Sequence, residues 1–131
     1  MAGADPVLRA AGVAERVTVV PGDFFGTVPE DADAYLLVRV LHDWTDEDAV
    51  RILRSVRAAM GPDARLLVVD AVVGPPNEDP LAKFNDLLML VSPGGRERTK
   101  AEWEELFAAA DLQFAGATRA TIKHVIEALP A

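Results

Sequence analysis

The sequence predicts an α/β domain with a largely parallel sheet, and three observations predict it. Short β-branched or apolar runs alternate with segments that are apolar at helical spacing. The runs "YLLVRVL" (35–41) and "ARLLVVDAVV" (64–73) are almost unbroken, as strands covered on both faces are. Two of the helical segments open on a threonine followed three residues later by an acid, a helix-start signature.

Residues 16–20, "RVTVV", read as a short strand stopped by the turn residues "PGD". The Gly-, Pro- and Asp-rich stretch 21–34 reads as a loop, and 35–41 as a buried strand. Thr45 stands at the N-cap of the next helix, with Asp48 three residues on and acids throughout its first turn, where they meet the positive end of the helix dipole. Ala49, Ile52, Leu53, Val56 and Met60 then recur at helical spacing until Gly61-Pro62 stops the helix. After the strand at 64–73 comes the loop "GPPNEDP", then "LAKFNDLLMLV" (81–91), apolar at helical spacing, and a second loop, "SPGGRER". Thr99 and Glu102 form a capping box ahead of "KAEWEELFAAADL". The tail "FAGATRATIKHVIEALP" reads as two strands in a hairpin. No repeat, low-complexity tract or linker divides residues 1–131, so one domain is expected.

The bulk numbers narrow the function. Half of the 131 residues are hydrophobic and 26% are charged, the balance of a globular chain. The net charge of −8 argues against a nucleic-acid backbone or an anionic membrane as main partner, since both need clustered Lys and Arg. The lack of cysteine excludes disulfides, thiolate catalysis and cysteine metal sites. No leader-like start and no apolar run near ~20 residues is present, and a soluble cytoplasmic protein is expected.

Ligands of open parallel sheets bind outside the carboxyl ends of the strands. Asp23 follows the first expected strand, His42-Asp43 the second, and Asp70 falls late in the third. Glu97 lies in the glycine-rich loop before Thr99. If that loop folds over the same edge, one histidine and several carboxylates share a crevice. Histidine is the side chain best suited to accept a proton near neutral pH. A carboxylate on one ring nitrogen fixes the tautomer and leaves the other nitrogen free, so Asp70 or Glu97 is wanted beside His42. Spacing alone leaves His42 open between this role and an ordinary loop residue bonded to the backbone. Asp43 reads as a turn or capping acid, Asp23 as a turn aspartate, and Glu97 also as part of a solvated charge cluster with Arg96 and Arg98. Asp70 is harder to set aside, because a buried carboxylate needs a partner. His124 reads as structural, and Met89 and Trp44 as core. No G-x-S-x-G, H-x-x-x-H or G-x-G-x-x-G is present, and Gly94-Gly95 follows a helix rather than a strand.

"VTVVPGDFF", "LHDWTDED" and "GGRERT", in this order and spacing, resemble the C-terminal part of S-adenosylmethionine-dependent O-methyltransferases of the plant phenylpropanoid and bacterial polyketide-tailoring type. The resemblance runs from Val7 to the end. It implies a partial Rossmann-like class I methyltransferase sheet, mostly parallel with a C-terminal antiparallel hairpin. It also implies methyl transfer, without a metal, to a hydroxyl of a small aromatic or polyketide-like metabolite. By resemblance His42 is the general base, Asp70 and Glu97 orient it, Asp23 holds the adenine amino group, Phe24 packs on the adenine ring, and Met89 and Phe84 line the acceptor pocket.

The departures carry expectations too. The chain lacks the family's first two strands, with their glycine-rich motif and ribose-binding acid, and the helical N-terminal dimerisation domain. Many relatives carry Lys or Arg four residues before the histidine; Val38 stands there, and Arg39, one place on, is expected on the other side of a strand. In the resembled sheet the two missing strands lie between 16–20 and 35–41, which leaves an apolar edge at 35–41 uncovered. Such an edge invites pairing with another chain. Homo-oligomerisation or association through that edge is expected, and the alternative function is an inactive remnant of the fold or a complementing half that associates with a partner chain.

Overall fold

The computed structural model describes residues 3–78, 80–91, 94–120 and 123–131. A short helix α1 (Ala4–Ala10) and a 3-10 turn (Ala14–Arg16) come first. Strand β1 (Ala34–Val38) leads through a 3-10 turn (Leu41–Asp43) into helix α2 (Asp46–Ala59). Then follow β2 (Arg65–Asp70), β3 (Val72–Val73), α3 (Pro80–Val91), β4 (Arg98–Thr99), α4 (Lys100–Ala108), β5 (Leu112–Ala120) and β6 (Lys123–Pro130).

The larger sheet has the order β1-β2-β6-β5, and β3 and β4 form a small second sheet. The pairings β1/β2 and β3/β4 are parallel, while β6 is antiparallel to both β2 and β5. The C-terminal hairpin is therefore present, and its second strand inserts beside β2.

Capping follows the sequence closely. Thr45 Oγ1 accepts from the Asp48 amide at 3.3 Å. Glu102 Oε2 accepts from the Thr99 amide at 2.7 Å while Thr99 Oγ1 caps the first turn of α4. Ile52, Leu53 and Val56 of α2 meet Leu66, Val68 and Ile126 of the sheet and Trp103 and Phe107 of α4 in one core. Each such side chain contributes about 1.5–3 kcal/mol on burial. The Tyr35 hydroxyl donates to Ala59 O at 2.7 Å and ties β1 to the end of α2.

Three expected elements differ. The strand at 16–20 does not form: Arg16 closes a 3-10 turn, and Val17, Val19 and Val20 are exposed with no ladder. A β-branched run needs a neighbour to take its backbone groups, and no described strand lies beside it. The strand expected at 35–41 stops at Val38, because Arg39 takes φ +54° and turns the chain. Arg39 thus lies just past the strand, its amide still donating to Val69 O at 3.1 Å, and is exposed. The run 64–73 breaks at Ala71 into β2 and β3, and the Trp103 indole donates to the freed Ala71 carbonyl at 3.0 Å. The first two residues of the loop expected at 92–98, and residues 121–122 of the expected tail hairpin, lie outside the described residues. As expected, β1 is an edge strand, and it leaves Leu36 and Val38 61% and 50% exposed.

Candidate active site

The site begins with the left-handed turn at Arg39. It carries the chain out of β1 into the 3-10 turn, which buries Leu41 in the core and sets His42 beside the end of β2. Val38 pairs with Val69, so Asp70 at the end of β2 reaches the same level as that turn. Glu97 arrives from the other side, on the segment joining α3 to β4.

That segment is pinned to the turn by its backbone. The Arg96 amide donates to His42 O at 2.9 Å, and the Glu97 amide donates to Asp86 Oδ1 of α3 at 2.8 Å. Gly95 lies so close that a Cβ there would stand 2.1 Å from His42 O and 2.5 Å from the Asp43 carbonyl carbon. Only glycine permits this approach. Gly95→Ala is therefore expected to push the two segments apart and cost about 1–3 kcal/mol. Urea unfolding measures the loss, and an alanine variant as stable as wild type contradicts the contact.

Arg98 secures the other flank. Its fully buried guanidinium donates to Leu41 O at 2.9 Å and Trp44 O at 3.0 Å, and it pairs with Asp46 Oδ1 at 2.8 Å. The carbonyls on both sides of His42 are thus held by one planar group. This corrects the reading of Arg96, Glu97 and Arg98 as a solvated cluster: Glu97 and Arg98 are buried, and only Arg96 reaches the surface.

His42, Asp70 and Glu97 come together as expected. His42 Nδ1 lies 3.3 Å from Glu97 Oε1 and 3.4 Å from Asp70 Oδ1. Both neighbours are acceptors when ionised, so Nδ1 carries the proton and donates. Nε2 is left with its lone pair, 3.4 Å from the half-exposed Asp43. The three ligating atoms fit within 4.8 Å of one another, a spacing that a cation can bridge. The ammonium group of Lys123 lies 3.2 Å from one of these atoms, Glu97 Oε1.

The electrostatics follow from burial and pairing. The hydrogen bond to Glu97 raises the His42 pKa above its ordinary value; burial opposes this, and the charges of Asp70, Glu97 and Asp43 add to it. Burial alone pushes the Glu97 carboxyl up, but His42 and Lys123 together hold it below the ordinary range. Asp70 is pushed up to about 6 by burial, against the attraction of His42 and Lys123. Neither Asp70 oxygen has a hydrogen-bond donor among the described residues, and Glu97 Oε2 also lacks one. The result is an imidazole primed to take up a proton, with the carboxylates stabilising the imidazolium that forms.

The other expected site residues stand apart from this cluster. Asp23 is exposed, and its Oδ1 accepts from the Phe25 amide at 2.9 Å in a local turn. Phe24 packs edge-on against Trp44, two residues past His42, at 6.0 Å. Met89 is buried and Phe84 is 63% exposed, both on α3. Gly95, Asp86, Arg98 and Lys123 were not singled out for the site in the sequence. A lone aspartate in an apolar helix was a visible signal for Asp86; nothing near Lys123 marked it.

A family model described as an O-methyltransferase domain matches residues 1–113. The chain is 48% identical over 109 residues to the mitomycin biosynthesis 6-O-methyltransferase of Streptomyces lavendulae, covering 82% of this chain and 30% of that protein. It is 47% identical over 117 residues to the 8-amino-8-demethylriboflavin N,N-dimethyltransferase of Streptomyces davaonensis, covering 88% of this chain and 33% of that protein. The crystal structure of an O-methyltransferase from neocarzinostatin biosynthesis, in complex with S-adenosylmethionine and 2-hydroxy-5-methyl naphthoic acid, superposes with a TM-score of 0.90 at 36% identity, over 99% of this chain and 38% of that one. The chain thus spans roughly a third of the length of the relatives it matches, and its mixed sheet is the corresponding part of a methyltransferase sheet. On these grounds the chain belongs to the O-methyltransferase domain family.

Proposed function

We propose that this segment forms the proton-abstracting part of an S-adenosylmethionine-dependent O-methyltransferase site, acting on a hydroxyl of a small aromatic or polyketide-like metabolite. One observation carries the reading: a buried His42 whose Nδ1 faces two carboxylates, leaving Nε2 as the free acceptor. His42 Nε2 takes the hydroxyl proton as the acceptor oxygen becomes a nucleophile. Glu97 and Asp70 hold the ring and stabilise its charge. Bound S-adenosylmethionine supplies an electrophilic methyl group. Phe84, exposed on α3, offers apolar surface to an acceptor, and Met89 lies buried on the same helix.

The residues fit one end of that cofactor. Asp23 is exposed and keeps Oδ2 beyond its own turn, as an exocyclic amino group requires, and the Phe24–Trp44 pair offers an aromatic platform to a planar base. No metal enters the scheme. A titration of the chain with S-adenosylhomocysteine, followed by backbone amide resonances, tests this part. Shifts are expected at Phe24 and Phe25. A dispersed spectrum that stays unchanged at saturating ligand rejects cofactor binding by this segment.

Two further parts belong to the same proposal. The exposed face of β1, with Leu36 and Val38, supports association, either with a second copy or with a chain segment that continues the sheet. Among the described residues no helix is long and apolar enough to cross a membrane. We place the protein in the cytoplasm with a soluble acceptor and no nucleic-acid partner. A hydroxyl is favoured over an amine, because removing its proton is the step that a carboxylate-supported histidine assists. The N,N-dimethyltransferase relative makes an amine acceptor the outcome that an acceptor screen must distinguish.

A further inference from the structure

Lysine is among the residues least often buried without a partner. Lys123 opens β6 and is only 8% exposed. The next residue along the chain, His124, pairs with Asp70, so Lys123 enters the site from the strand beside β2. The same Glu97 oxygen that faces His42 Nδ1 at 3.3 Å accepts from Lys123 Nζ at 3.2 Å. One carboxylate oxygen therefore lies between an ammonium and an imidazole.

We propose that Lys123 is a positioning residue for the base, sharing Glu97 Oε1 with His42 so that the carboxylate stays in place and only part of its charge acts on the ring. This rests on the reading of His42 as the base. The groups facing His42 are Asp43 from its own turn, Asp70 from β2, Glu97 from the segment before β4 and, through Glu97, Lys123 from β6. Arg98 of β4 spends its donors on the Leu41 and Trp44 carbonyls and on Asp46, away from the ring nitrogens. With neutral His42, the ammonium offsets one of the two buried carboxylates. Without it both act undiluted on the imidazole, which then holds its proton too tightly to serve as a base near neutral pH.

The test is a proton NMR titration of the whole chain, whose two histidines give separable ring signals. In Lys123→Met the His42 midpoint is expected to rise by about one pH unit. In Lys123→Arg, which keeps the charge, it should stay close to wild type. A natively dispersed K123M spectrum with an unchanged His42 midpoint overturns the proposal. Wild type offers a second measurement if K123M does not fold. A Lys123 ammonium held by Glu97 gives slowly exchanging protons near neutral pH, and one that exchanges freely overturns the proposal as well. A raised midpoint in K123M together with full methyl transfer by His42→Ala would remove the base and leave the Lys123 link standing, so the two readings fail separately.

Discussion

Alanine at His42 is expected to lower methyl transfer by about 10²–10⁴-fold, the contribution of a positioned general base. The relevant assay joins this segment to the remaining two thirds of a relative and follows labelled methyl onto a phenolic acceptor. Removing the ring takes away Nε2, the imidazole nitrogen left with its lone pair when Nδ1 donates to the carboxylates. It leaves Asp70 and Glu97 without the imidazole that balances them. His42→Gln serves as the companion variant, because it fills more of the space and offers Glu97 a donor while accepting protons poorly. Both variants should lose the acid limb of the wild-type pH–rate profile, which reports protonation of His42. A His42→Ala enzyme with wild-type rate and profile removes His42 from the chemistry, whatever the ring's neighbours are.

The sequence revealed the elements that are fixed locally. The caps at Thr45 and Thr99 depend on residues three apart, and both form. The apolar period of α2 needs no knowledge of its partners to be seen, and the same residues fill the core. His42, Asp70 and Glu97 were legible because strand ends converge on one edge of such a sheet. What was not legible depends on partners remote in the chain. Val17–Val20 have a strand composition but, among the described residues, no neighbouring strand to complete their hydrogen bonds, so composition alone misled. Arg98 looked like one charge among several until its guanidinium met carbonyls more than fifty residues away. Lys123 lies 26 residues from Glu97, with β4, α4 and β5 between them. Gly95 looked like half of a loop dipeptide, and its requirement arises only where another backbone passes within van der Waals reach.

Asp70→Asn is expected to stabilise the protein at pH 7.5 by roughly 3 kcal/mol, and the sign follows from linkage. Asp70 is 0% exposed, and its pKa rises from 3.8 to about 6 in the fold, with burial as the leading cause. The folded chain therefore binds this proton more tightly than the unfolded chain does. The group weighs nothing against the fold below about pH 4, where both states are protonated. Its cost grows as pH rises through 4 to 6 and is full above that range, where the fold must carry a buried carboxylate whose attraction to His42 and Lys123 only partly offsets its desolvation. Asparagine never ionises, so the variant should gain on wild type across that interval and match it at pH 3.5. Urea unfolding at pH 3.5 and 7.5 measures both ends, and an Asn variant less stable than wild type at pH 7.5 refutes the account. The same substitution removes one of the charges that hold a proton on His42, so methyl transfer should fall as stability rises. Opposite movement of the two quantities is what a carboxylate kept for chemistry, at the expense of the fold, must produce.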